Sequence, residues 1–121
     1  MLQVSEASMA KWPDLVPVRL CKTPIHVEID AEGWDRDGAP VKAFIGDLYC
    51  NFQDGGQTAV NSEQEYIRTR GSAYFHGDPF PEIANITGGW VKVFEEERKI
   101  EQGIKGRNPD GTVNFVQLRL L

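Results

Sequence analysis

Four side chains in this chain are of the types that hold zinc: Cys21, His26, Cys50 and His76. Short zinc motifs supply their ligands as pairs two to five residues apart, because one turn must present two of them to the same ion. Cys21 and His26 have four residues between them, but Cys50 and His76 each stand alone. The spacing therefore favours two ordinary thiols and two ordinary histidines, with no metal and no cofactor. A second candidate is the acidic run Asp30, Glu32, Asp35 and Asp37 ahead of Gly38. A calcium loop of the helix–loop–helix kind needs oxygen ligands at alternate positions and a glutamate six residues beyond its central glycine. Here that position is Phe44, and Trp34 stands where an oxygen belongs, so a solvated hairpin loop is the expectation.

Nucleophilic chemistry finds no support either. There is no Gly-x-Ser-x-Gly elbow, and two histidines leave little room for a Ser/His/Asp arrangement. Paired carboxylates for acid–base work meet through the fold rather than the sequence, and nothing points to such a pair. Gly103-Ile104-Lys105-Gly106 matches the loop with which KH modules clamp nucleotides, but it lies between a charged strand and a turn, without the flanking helices. A binding protein, not an enzyme, is the expected class. Trp34, in its acidic loop, is the residue type enriched at interfaces.

The 121 residues suit one domain with a core of its own. The net charge of −5 and the scattering of lysine and arginine disfavour tight binding to nucleic acid, which needs concentrated cations to displace counterions. No apolar run is long enough to span a bilayer. The first twenty residues lack the features of a secretory signal, and two cysteines make no disulfide framework, so the cytosol is the expected place of synthesis.

Residues 1–22 read as an N-terminal arm: Leu2, Ala7 and Met9 could line a short helix, and Pro13 and Pro17 stop anything after it. Residues 23–121 read as a single β domain. Ile25, Val27 and Ile29 alternate with His26, Glu28 and Asp30, the pattern of a half-buried strand. Val41 to Phe52 is a second strand with Phe44, Leu48, Cys50 and Phe52 on one face and Gly46 as a candidate bulge. Gln53-Asp54-Gly55-Gly56 is a candidate hairpin turn, followed by two short strands around the polar stretch Asn61–Glu65, where a helical turn is the alternative. His76-Gly77-Asp78-Pro79-Phe80-Pro81 cannot be regular, Ile83–Ile86 is short, Trp90–Phe94 alternates again, and the three glutamates after it read as a solvated turn. Asn108-Pro109-Asp110-Gly111 is the most specific local signal: it suits a type I turn closed by a glycine at positive φ, hence a C-terminal hairpin. About seven strands at close spacing imply an all-β fold, a small antiparallel β-barrel or sandwich with long loops.

The stretch ITGGWVKVFEEERKIEQGIKGRNPDGTVNFVQLRL has Gly89 before a strand, a charged strand ending in Gly-x-x-Gly-Arg, and the Asn-Pro-Asp-Gly turn into a final strand. Together with AYFHGDPFP and YCNFQDGG it resembles the small head-closure (head–tail joining, or stopper) proteins of tailed bacteriophages and prophages, over about residues 25–120. The resemblance implies a small β-barrel that forms a ring between portal complex and tail, closing the DNA channel and docking the tail. Its implied partners are copies of itself, the portal or adaptor ring, and tail-completion or tail proteins. DNA is passing cargo, no membrane is involved, and the place of action is the host cytoplasm during assembly and then the virion neck. The long arm departs from that pattern. On this reading Trp12 and Leu15 of the arm, with Trp34 and Phe80 on the other side, are the expected subunit contacts. The alternative reading is a free-standing, OB-like β-barrel that binds a ligand or oligonucleotide. A cupin-like enzyme would need a histidine cluster that the chain lacks.

Overall fold

The computed structural model describes residues 12–34, 36, 38, 40–60 and 66–121, and of 32–34, 40, 56–60 and 66–70 it describes the backbone. Six strands, β1 (Thr23–Trp34), β2 (Pro40–Val60), β3 (Tyr66–His76), β4 (Gly89–Val93), β5 (Glu96–Arg107) and β6 (Val113–Leu120), follow the arm. Every pairing is antiparallel, and the order β1-β2-β3-β6-β5-β4 closes on itself as a barrel. Between barrel and sandwich, closure wins, because β1 pairs with β2 on one side and β4 on the other and leaves the sheet no edge there.

Two-residue periodicity decides which side chains fill the barrel. Ile25, Val27 and Ile29 of β1, Val91 and Val93 of β4, and Val116, Leu118 and Leu120 of β6 are all buried in one cluster, with Phe44, Leu48 and Phe52 of β2 packed against it. Each such aliphatic or aromatic side chain contributes roughly 1.5–3 kcal/mol on leaving water. The connection from β3 to β4 caps one mouth of the barrel. It does so with Phe80, 1% exposed, whose ring meets Phe44 and Phe75 edge-on at centroid distances of 4.8 and 5.6 Å. Asp78 accepts the Phe80 N–H at 2.9 Å, and the Lys105 ammonium reaches inward to Asp78 (2.9 Å) and the Phe80 carbonyl (2.8 Å). Ile83 and Ile86 pack on the core from this loop without forming a strand.

Several local expectations are corrected. Among the described residues there are six strands rather than about seven, because β2 does not turn at Gln53–Gly56 but runs on to Val60, with a register shift between Asp54 and Gln57. Two glycines without side chains absorb an irregularity in a strand as readily as they reverse one. Gly46 is no bulge: it stays in register with Val27, and its missing side chain makes room for the Phe44 ring, 2.9 Å from where a Cβ would sit. The bulge falls instead at Ala43, which the pairings Ile29↔Phe44 and Asp30↔Lys42 leave over. The β4–β5 turn is Phe94-Glu95, and Glu96 and Glu97 already belong to β5. Phe80, expected on a contact surface, is core. The expected helix of Leu2, Ala7 and Met9, the polar stretch Asn61–Glu65, and the positions Asp35 and Asp37 lie outside the described residues.

Candidate interaction surfaces

Residues 12–22 form a strap held against the end of β3 and the start of β6, and a buried asparagine is one of its anchors. The pairings Gly106↔Phe115 and Arg107↔Val113 leave Asn114 as the extra residue of a bulge, 8% exposed. Its side-chain oxygen accepts the Leu15 N–H (2.9 Å), and its amide donates to the Pro13 carbonyl and to Asn108 Oδ1 (2.8 Å each). His76 Nδ1 lies 3.0 Å from the Val16 carbonyl, which can only accept, so the ring proton sits on that nitrogen. Val16 is buried, and the Cys21 thiol approaches the carbonyls of Pro17 and Tyr74. This seating turns Leu15, Val18 and Leu20 outward, at 66, 66 and 48% exposure.

The Asn-Pro-Asp-Gly turn belongs to the same anchor. Gly111 N–H bonds to the Asn108 carbonyl at 2.9 Å and Gly111 takes φ +92°, as the turn chemistry requires. Asp110 accepts from the Thr112 hydroxyl and N–H, which hold its carboxyl below the ordinary carboxylate value, and also from Trp12 Nε1 at 3.2 Å. Trp12 is thus engaged within its own chain, while Leu15 remains free at the surface.

The outer face of β1, β2 and β4 carries a charged cluster ringed by apolar groups. His26 stands opposite Asp47 on one side and Lys92 on the other. Its two ring nitrogens lie 2.7 Å from Asp47 and 3.0 Å from Glu28, and its ring is 5.5 Å from that of Trp90. The two carboxylates, Glu28 first, raise the imidazole above its ordinary value of 6.5, because both ring nitrogens can donate only in the imidazolium. Lys42 continues the network to Asp30 at 2.6 Å and Glu28 at 3.8 Å.

Beside it opens a groove of about 380 Å³ between Tyr49 and Phe94, floored by Pro24, Ile25 and Leu48 and rimmed by Asp47, Lys92 and Glu95. Tyr49 and Phe94 are 66 and 64% exposed. Phe94 and Glu95 hold φ +52° and +63°, a left-handed pair that costs about 1–2 kcal/mol per residue without glycine. The strain has a structural partner: Phe94 meets Phe52 edge-on at 5.4 Å, and the Arg98 guanidinium lies 5.3 Å from the Phe52 ring.

A third feature is backbone alone. Pairing of β1 with β2 starts at Thr23↔Cys50, and pairing of β6 with β3 ends at Leu120↔Gly71. Beyond those points the pairs from Gln57↔Thr69 to Val60↔Tyr66 continue as a two-stranded ribbon outside the barrel wall, with no third strand beside it among the described residues.

The zinc candidates scatter: Cys21 lies under the strap, Cys50 is in the core with its thiol pushed up to about 12 by burial, His26 faces two carboxylates and His76 holds the strap. Among the described residues no group of three or more His, Cys, Asp or Glu side chains converges on a common point. Asp30 of the acidic run is paired with Lys42. Gly103–Gly106 lies within β5 rather than in a loop, where Gly103 admits Ile86 and Gly106 admits the Phe115 ring, so the KH-like match has a packing cause. Trp34 ends β1 opposite Pro40; its side chain is outside the described residues. Asn114, Lys105 and the Tyr49–Phe94 groove escaped the sequence reading, since an asparagine three residues past a turn or an aromatic on a polar strand face carries no signal until the register is known. No protein-family model matches the chain, and comparison with curated proteins finds no match.

Proposed function

We propose that this chain is a structural assembly subunit of the phage or prophage neck type, acting by binding rather than by chemistry. The observation that carries the reading is the β2–β3 ribbon projecting from a closed barrel. A closed barrel needs no such extension for its own stability, and an isolated two-stranded ribbon is only marginally stable in water. Its strand edges offer main-chain hydrogen bonds to a neighbour. The turn-level resemblance of residues 25–120 supports the same role. On this reading copies form a ring between portal complex and tail, and the net charge of −5 lets duplex DNA pass without adhering.

The test is complementation. DNA-filled, tail-less capsids of the cognate phage, incubated with the purified chain, should retain their DNA against nuclease and gain the ability to join tails. Capsids that neither bind the chain nor change in DNA retention defeat the proposal.

A further inference from the structure

The strap and the groove are two different surfaces. The strap is held by His76 of β3 and Asn114 of β6, whereas the groove is lined by residues of β1, β2, β4 and the turn after β4. The strap presents three exposed aliphatic side chains in six residues, Leu15, Val18 and Leu20, held outward by hydrogen bonds behind them. The groove presents a concave apolar floor between two exposed rings, one of them kept in place by a strained turn. Strain maintained at an exposed aromatic is a pointer to use rather than to stability.

We infer that the strap of one copy seats in the Tyr49–Phe94 groove of the next, with Val18 and Leu20 entering between the rings. The charges agree. Exposed Arg19 lies within the aliphatic ridge and exposed Lys22 follows it, and exposed Asp47 and Glu95 line the groove; Asp14 at the other end of the strap has Lys92 as its counterpart. Because the two surfaces differ, the contact is heterologous: each copy gives a strap and takes one, and repetition builds a ring or an open chain according to the rotation. This deepens the ring reading proposed above by naming its subunit contact, with the groove replacing Phe80 as acceptor. A contact of this size falls at the weak end of interfaces, below about 1,200 Å², so the free chain associates only at high concentration.

Sedimentation equilibrium of the full chain, up to about 1 mM, tests it with Val18→Asp in the strap and Tyr49→Lys in the groove. Both positions are exposed, and unchanged melting temperatures check that both variants fold. The wild type should associate reversibly, and each variant alone at least about tenfold more weakly. An equimolar mixture of the two variants should recover dimers but nothing larger, because each retains the surface the other has lost. A wild type that stays monomeric, variants that associate like the wild type, or a mixture no better than its parts would each overturn the inference. The capsid experiment reads a different property, so a chain that self-associates as described but ignores capsids would defeat the neck reading and leave this contact standing.

Discussion

At the scale of single residues, backbone conformation and buried partners set the sharpest expectations. Gly111 sits at φ +92° with nothing within 4 Å of where a Cβ would sit, so substitution there costs backbone strain and little else. Gly111→Val should lower stability by about 1–2 kcal/mol, read as a drop in Tm of several degrees. Gly89 is the opposite case: at φ +140°, a Cβ would collide with the Glu28 carbonyl oxygen and come within 2.9 Å of the Ile29 Cα. Gly89→Ala should therefore cost more than Gly111→Val, about 3 kcal/mol or above, and denaturant unfolding of the two variants orders them. His26 sets a pH dependence. Its imidazole is raised above 6.5 by Glu28 and Asp47, so the folded state binds its proton more tightly than the unfolded chain does. That contribution is fully present below pH 6.5 and is lost as the pH rises through the higher folded value. Melting curves from pH 5.5 to 8.5 should show a fall in Tm over this window that His26→Gln flattens.

At the scale of elements, loops are tied down by inward-reaching polar groups. Lys105 leaves β5 to neutralise Asp78 and satisfy the Phe80 carbonyl, with its side chain 8% and that of Asp78 17% exposed. Lys105→Met keeps the stem but leaves a nearly buried carboxylate alone, so a loss of about 2–4 kcal/mol is expected in equilibrium unfolding. The periodicity of β1, β4 and β6 was legible in the residues because one face of each is buried and the other is not. The length of β2 was not: Gly55 and Gly56 have the same local chemistry in a turn and in a bulge, and only pairing with β3 discriminates them. The Phe94-Glu95 turn was hidden for a related reason, since its residues lack the usual turn preference and Phe94 is held by Phe52, distant in sequence.

At the scale of the whole molecule, the strap is part of the folded barrel. Removing residues 1–19 exposes the site under Val16 and deprives buried Asn114 of the Leu15 N–H and the Pro13 carbonyl. The truncated chain should keep its β circular-dichroism signal but lose about 2–4 kcal/mol of stability, and it should fail to join tails to capsids. A truncated chain that still completes infectious particles would show the strap to be dispensable. Duplex DNA titrated near physiological salt should show no sub-micromolar, salt-sensitive affinity, given the net charge of −5.

Composition and alternation by themselves determined that the chain is all-β, that Ile25, Val27, Ile29, Phe44, Leu48, Cys50 and Phe52 face inward, and that Asn108–Gly111 turns the chain. These are properties of neighbours along the backbone, where a period of two and the φ preferences of proline and glycine act without reference to the rest of the fold. Closure into a barrel, the seating of Phe80 against Phe44 in the core, the anchoring of the arm on Asn114 and the placing of Tyr49 and Phe94 along one groove were decided by tertiary structure alone. Each joins residues far apart in sequence, and their partners are selected by strand register, which no local pattern encodes.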